Sequence, residues 1–291
     1  MSKLIIAKGL PGSGKSTISQ GRILADGNTI RINKDLLRKM MHFGKFSGPN
    51  ESLTRDAARE LAKLFIGKGV NVIIDDTNLN PGTMQSWKDL AERLEVKVEI
   101  MDLTDVPIED CIARDLGREE SVGSIVIKNM AIKAGIKKFE KDSVCLIDID
   151  GTIADITHRL HFVKPGKGHK KDWKGFFESM DEDEVREDVK KDVMKLFNEG
   201  KTIIFMSGRP EKYREFTQRW LARNFLNIYY TIIMRKSTDK RQDDETKRDL
   251  FNEYFPDKSV IHVVYDDRPR VLRVWRELGL NVVDVGKGVE F

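Results

Sequence analysis

Short aliphatic and β-branched runs alternate along the chain with segments whose apolar positions recur every three to four residues. The runs predict strands at 3–8, 29–33, 71–75 and 97–103 in the first half, and at 144–149, 202–206, 231–234, 259–265 and 281–285 in the second. Between them, SLTRDAARELAKLFIGKG places Leu53, Ala57, Leu61, Leu64 and Phe65 on one helical face and stops at glycines. NPGTMQSWKDLAERL opens at Pro81 and repeats such a face with Trp87, Leu90 and Leu94. Further helices are predicted at 124–140, 184–198, 211–224, 243–254 and 269–278. This alternation predicts an α/β protein with largely parallel sheets. It restarts after the charged stretch KKFEKDS, which divides the chain into domains 1–140 and 141–291. In open α/β sheets ligands gather beyond the carboxyl ends of strands, so the residues after each apolar run carry the candidate chemistry.

Composition narrows the picture only a little. At 291 residues and 40% hydrophobic, the chain can bury two cores. A net charge of +4 allows a polyanionic partner without making the chain a basic tail. Cys111 and Cys145 lie in apolar patterns without metal-ligand spacing, so both are expected as reduced core thiols. No charged-then-apolar leader opens the chain and no run approaches about 18 apolar residues, so no membrane span is expected. A cytoplasmic protein is the resulting expectation.

GLPGSGKST, from Gly9 to Thr17, follows a predicted strand and precedes a helix. Gly9, Gly12, Ser13 and Gly14 let backbone N–H groups wrap phosphates, Lys15 reaches the outer phosphates, and Ser16, followed by Thr17, offers a hydroxyl to Mg²⁺. The next strand ends in RINKDLLRKM, with Asp35 and Arg38 one helical turn apart. A carboxylate there can take a proton from an attacking hydroxyl, and an arginine can hold an acceptor phosphate. The same spacing equally fits a capping Asp paired with a surface Arg. NVIIDDTNLN places Asp75, Asp76, Thr77 and Asn78 at a strand end, where Mg²⁺ or acceptor contacts are expected. Farther on, Arg114 and, four residues later, Arg118, which opens REESVGS, fit either a flap over phosphates or a solvated basic face.

The second half opens with CLIDIDGTIAD. Asp148 is placed to attack phosphorus and Asp150 to protonate the leaving oxygen and then activate water. Two carboxylates facing a phosphate need Mg²⁺ and cationic neighbours, and the following strand ends and helix starts supply the groups for both: Ser207, Gly208 and Arg209, then Asp243 and Lys247, then Asp266 and Asp267.

The order DxDGT, Ser-Gly-Arg, Lys, Asp-Asp resembles the haloacid-dehalogenase-type phosphatases over 144–291, and the first half resembles P-loop kinases of the polynucleotide type. Together they resemble the bifunctional polynucleotide kinase 3′-phosphatases of the T-even phage type. Asn33, Asp35 and Arg38, the DTNLNP at 76–81, Arg114 with Arg118, Arg159, and Trp275 with Arg276 match motifs of that family. The resemblance implies a P-loop kinase domain followed by a haloacid-dehalogenase-like Rossmannoid phosphatase, with ATP as donor and Mg²⁺ as cofactor. It implies Lys15 and Ser16 on the nucleotide and metal, Asp35 as general base, Arg38 with Lys34, Asp76 and Thr77 on the acceptor strand, and Arg114 and Arg118 on the donor phosphates. In the phosphatase it implies Asp148 as nucleophile, Asp150 as acid and base, and Arg159, Ser207, Gly208, Arg209, Asp243 and Lys247 around the substrate. Mg²⁺ would sit among Asp148, Asp150, Asp266 and Asp267. The implied reactions are phosphorylation of RNA or DNA 5′-hydroxyls and hydrolysis of 3′-phosphates, with a 2′,3′-cyclic phosphate as a further candidate. A nucleic-acid ligase as functional partner, a homo-oligomer, and the host cytoplasm for a phage-encoded protein complete the expectation.

Departures from the pattern concern acceptor choice. Lys34 stands where the family has Arg, Glu119 follows the lid arginine, and a Lys- and His-rich loop at 162–174 replaces a closely matching cap. The rival readings are a small-metabolite kinase fused to a small-metabolite phosphatase, and a nucleotide-binding scaffold with a degenerate second domain. Paired acids at two strand ends disfavour the scaffold.

Overall fold

The computed structural model describes residues 2–164, 170–226 and 228–286. They form two compact units, one ending at Lys137 and the other starting at Lys138. The first unit runs β1 (Lys3–Lys8), α1 (Lys15–Asp26), β2 (Thr29–Ile32), α2 (Lys34–His42), α3 (Gly48–Gly67), β3 (Asn71–Ile74), α4 (Pro81–Arg93), β4 (Lys97–Asp102), α5 (Ile108–Leu116) and α6 (Ser124–Lys133). Its strands pair in parallel in the order β2-β3-β1-β4. Leu4, Ile5, Ile6 and Ala7 are all buried, as a central parallel strand covered on both faces requires. The chain passes from β1 to the edge strand β2, returns with β3 between β2 and β1, and then crosses to β4 on the other side of β1. Its direction of growth reverses at β1, which places a crevice at that strand's carboxyl end.

Two helical expectations change. On α3 the buried stripe is Thr54, Ala58, Ala62 and Ile66, with Leu61 and Phe65 partly buried and Leu53 and Leu64 exposed. Small alanines face the sheet and let the helix approach it closely; the sequence reading had favoured a face displaced toward Leu53, Ala57, Leu61, Leu64 and Phe65. The predicted helix 124–140 ends at Lys133, because Gly135 takes the left-handed conformation at φ 68° and closes the last turn.

The second unit runs β5 (Val144–Ile147), β6 (Ala154–Asp155), α7 (Trp173–Glu178), β7 (Glu184–Val185), α8 (Glu187–Asn198), β8 (Thr202–Pro210), α9 (Arg214–Asn224), β9 (Tyr230–Arg235), α10 (Asp243–Tyr254), β10 (Ile261–Asp266), α11 (Pro269–Glu277) and β11 (Val282–Asp284). The main sheet is parallel, in the order β11-β10-β5-β8-β9. Growth again proceeds to one side of the first strand and then to the other, so the crevice falls at the end of β5, immediately before Asp148. An antiparallel pair, β6 with β7, and the short α7 were not legible in the hydrophobic pattern. Part of the basic loop, 165–169, lies outside the described residues. Among the described residues no helix is long and apolar enough to cross a membrane, and both cysteines are buried and unbridged.

Candidate active sites

The loop after β1 is shaped by its glycines. Gly12 and Gly14 sit at φ 78° and 95°, and a Cβ on Gly12 would stand 2.1 Å from the Cys111 carbonyl oxygen, so any side chain there would push α5 off the loop. Lys15 is buried at the start of α1. Its Nζ donates to the carbonyls of Gly9 (3.0 Å) and Leu10 (2.7 Å) and lies 3.3 Å from Ser13 Oγ. Burial among neutral acceptors pulls its pKa down to about 8, with the Asp75 charge opposing. Ser16 and Thr17 are exposed on the first helical turn. Arg31 donates to Ser16 Oγ at 3.3 Å and forms an ion pair with Asp75. Asp75 is buried, and its Oδ1 has no hydrogen-bond partner among the described residues. Arg31 thus links a serine hydroxyl to a carboxylate with an orphaned oxygen, and both are hard oxygen donors of the kind Mg²⁺ takes.

The neighbouring strand ends carry the residues expected on the acceptor side. Asn33 caps α2 by accepting from Leu36 N at 2.9 Å and also donates to the Asp75 carbonyl, so the cap is Asn33 and not Asp35. Asp35 is 76% exposed at the side chain and accepts from Arg38 Nη1 at 2.6 Å. Arg38 in addition clasps Glu51 of α3 with two hydrogen bonds, a partner the spacing did not reveal. Lys34 turns toward Asp76, with its backbone N–H at 3.0 Å from Oδ1 and its Nζ at 3.4 Å from Oδ2. Burial raises the Asp76 pKa and Lys34 opposes it. Thr77 contributes its carbonyl to Gly9 N at 3.0 Å. Asn78, at φ 45°, donates to Ala7 O at 2.7 Å, so it ties β3 to β1 beneath the loop. That bond gives Asn78 a structural role where an Mg²⁺ or acceptor contact had been expected. Arg114 and Arg118 pair with Asp110 (3.8 Å) and Asp115 (3.4 Å) and stay half exposed. Buried Asp115 also accepts from Ser121 Oγ and Gly123 N, which fixes the REESVGS turn.

In the second unit Asp148 is buried at the end of β5, and Lys247 Nζ sits 2.8 Å from its Oδ1 and 2.8 Å from Asp266 Oδ2. Asp243 lies 3.6 Å from the same ammonium. Thr152 Oγ1 donates to Asp267 at 3.0 Å and reaches Asp148 at 3.3 Å, and Trp275 Nε1 donates to Asp266 at 3.0 Å. Burial raises the Asp148 pKa; Lys247 opposes this and Asp266 and Asp267 add to it. Burial and then Asp266 push Asp267 up to about 6. Lys247 is raised instead, since Asp148, Asp266 and Asp243 outweigh its burial. Carboxylate oxygens of Asp148, Asp266 and Asp267 lie within 4.8 Å of one another. Three hard oxygen donors at that spacing fit Mg²⁺.

Asp150 departs from the expectation, because its carboxylate lies outside that cluster. Arg209 grips it at 2.6 and 3.0 Å, and Arg159 adds a further hydrogen bond. Burial alone would raise its pKa, but the two arginines outweigh burial and hold the carboxyl well below its ordinary range. Arg159 and Arg209 are themselves fully buried. Both are bound to Asp183, Arg159 also donates to Phe176 O at 3.1 Å, and Arg209 contacts Thr217 and Met180. These arginines therefore clamp Asp150 in place of standing open to a phosphate. Ser207 is likewise buried and accepts from Arg209 N at 3.2 Å. Asp183 had no sequence signal; it stands at a turn between α7 and β7, and only the fold brings it under both arginines. Gly208 is required by close approach, since a Cβ would fall 1.9 Å from Asp243 Oδ1.

Asp148 and Asp150 line a cavity of about 860 Å³. Its wall includes Gly208 and Asp243, and its rim carries lysines, arginines and aromatic rings. Arg235 and Arg268, on that wall, balance Asp243 at 3.0 and 3.4 Å.

Comparison with known proteins agrees with this division. The family model of the polynucleotide kinase PNKP phosphatase domain matches residues 142–289, half of the chain, and an AAA domain model matches residues 4–141. The chain is 28% identical, over an alignment of 306 residues, to a bifunctional polynucleotide kinase/RNA ligase of Autographa californica nuclear polyhedrosis virus, covering 97% of this chain and 42% of that protein. A bifunctional polynucleotide phosphatase/kinase of Schizosaccharomyces pombe is 29% identical over 101 residues, 35% of this chain and 21% of that protein. The chain thus spans less than half the length of these curated relatives. A chain in the solved structure of the Pnkp1/Rnl/Hen1 RNA repair complex is 25% identical with a TM-score of 0.43, over 99% of this chain and 97% of that one.

Proposed function

Because the chain belongs to the polynucleotide kinase PNKP phosphatase domain family, we propose that it heals broken nucleic-acid ends. Residues 1–140 transfer the γ-phosphate of ATP to a 5′-hydroxyl of RNA or DNA, and residues 141–291 hydrolyse a 3′-phosphate, with a 2′,3′-cyclic phosphate as a second substrate. The observation that carries the reading is Asp148, held at the end of β5 beside Lys247 and facing a large cavity with a basic rim.

In the phosphatase, an Asp148 oxygen attacks phosphorus and the bond to the 3′-oxygen breaks, which leaves an aspartyl phosphate. Water then attacks that phosphorus and releases inorganic phosphate. Asp150, kept ionised by its arginines, is set up as the base for the water. To give a proton to the leaving oxygen in the first step it must take one up against that clamp. Asp148, Asp266 and Asp267 would hold Mg²⁺, which when bound supplies charge balance between nucleophile and phosphate. In the kinase, Gly9 to Thr17 cradle the triphosphate and Lys15 trades its carbonyl contacts for phosphate oxygens. Ser16 and Asp75 would hold Mg²⁺, exposed Asp35 takes the proton from the 5′-hydroxyl, and Arg38, Arg114 and Arg118 supply positive charge to acceptor and donor phosphates. Action in the cytoplasm, a homo-oligomer and a ligase acting on the healed ends belong to the same proposal.

The test uses two oligonucleotides, one with a 5′-hydroxyl and one with a 3′-phosphate, together with ATP and Mg²⁺. Lys15→Ala is expected to abolish labelling of the first and spare the second, and Asp148→Asn to do the reverse. Turnover of a nucleoside or sugar phosphate with neither oligonucleotide used would replace this reading by a small-metabolite enzyme.

A further inference from the structure

The phosphatase cavity is far larger than a phosphate group, and one wall is built of rings. Trp173 and Phe177 stack with centroids 6.0 Å apart at an interplanar angle of 24°, and Phe177 continues to Tyr213 at 5.0 Å and 30°. All three line the same cavity as Asp148. The ladder is graded: Tyr213 is buried, Phe177 partly so, and Trp173 is 44% exposed at the outer end. Phe176 meets Trp173 edge-on at 85° and is itself buried under Arg159, so the outermost ring is backed by packing. A lysine stands at each end. Lys171 Nζ lies 5.5 Å from the Trp173 ring centre and Lys212 Nζ 4.7 Å from that of Tyr213. Among the described residues neither lysine is ion-paired with a carboxylate.

We propose that Trp173, Phe177 and Tyr213, flanked by Lys171 and Lys212, form a stacking platform for the nucleobases next to the reacting 3′ terminus. The ligand is single-stranded polynucleotide. The proposal rests on the 3′-phosphatase reading above and adds to it a base-binding subsite and a strand preference. Stacking on aromatic faces is tolerant of sequence because every base has a π face, while the lysines meet the backbone phosphates. Bases in a duplex already stack on their neighbours and do not offer those faces, so a paired 3′ end gains little from this wall.

The experiment compares wild type, Trp173→Ala and Trp173→Phe on three substrates: a single-stranded 3′-phosphorylated oligonucleotide, the same terminus recessed in a duplex, and p-nitrophenyl phosphate, which carries no base. Trp173→Ala is expected to raise KM for the single strand by roughly five- to a hundredfold with kcat little changed. It should leave p-nitrophenyl phosphate hydrolysis as in wild type, and Trp173→Phe should restore most of the affinity. Wild type should favour the single strand over the recessed end. An unchanged KM for Trp173→Ala, an equal loss on p-nitrophenyl phosphate, or no strand preference in wild type would each overturn the platform and leave the phosphatase reading standing. Hydrolysis of p-nitrophenyl phosphate by wild type without action on either oligonucleotide would overturn that reading and the platform with it.

Discussion

Lys15 and Lys247 are buried lysines at the two candidate sites, and their surroundings push them in opposite directions. Lys15 rests on two carbonyls and a hydroxyl, and burial draws its pKa down to about 8. Lys247 is buried more deeply still, yet Asp148, Asp266 and Asp243 surround it and raise its pKa. An ammonium among neutral acceptors gains by meeting an anion, so Lys15 suits a ligand that brings its own charge. Lys247 is already compensated and serves to keep several carboxylates together. On the proposed reading Lys15 is thus poised for an arriving phosphate, and Lys247 is part of the fold's own charge balance.

The largest effect expected is on chemistry. Asp148→Asn should lower 3′-phosphate hydrolysis by about 10⁴-fold with 5′ labelling retained, measured on the two oligonucleotides; equal loss of both activities would mean that the sites are not independent. Next comes stability, where the two lysines should separate. Lys247→Ala leaves buried carboxylates uncompensated and should destabilise the second unit by about 3–5 kcal/mol. Lys15→Ala should stay within about 1 kcal/mol of wild type, because lost hydrogen bonds are offset by relief of the buried charge. Denaturant unfolding of both variants decides the contrast, and similar losses would erase it. Asp183→Asn, which weakens the support under Arg159 and Arg209, should cost about 2 kcal/mol and show as a lowered Tm with kinase activity intact. The smallest effect is expected at Leu64→Gln on the exposed side of α3, within about 0.5 kcal/mol; a large loss there would return the buried face to the one the hydrophobic pattern first favoured.

Much of the molecule was legible before its coordinates. The strands carrying both sites, the loop from Gly9 to Thr17, and the restart of the pattern near Val144 follow from apolar runs, glycines and caps, all of which act over a few residues. The carboxylates at the ends of β5 and β10 were found for the same reason. The parts missed depend on contacts between distant residues. The α3 stripe was misplaced because the sheet selects small alanines for close approach, whereas hydrophobic spacing ranks larger side chains first.

The sequence by itself determined two α/β units with candidate phosphate chemistry at the end of the first strand of each, since local spacing decides which residues follow a strand. Tertiary structure alone decided what those residues touch. It turned Arg159 and Arg209 into a clamp on Asp150 over a buried Asp183, tied Arg38 to Glu51, and set Lys15 and Lys247 on opposite sides of their ordinary pKa. Charge state and orientation depend on burial and on partners many residues away, and no local pattern encodes either.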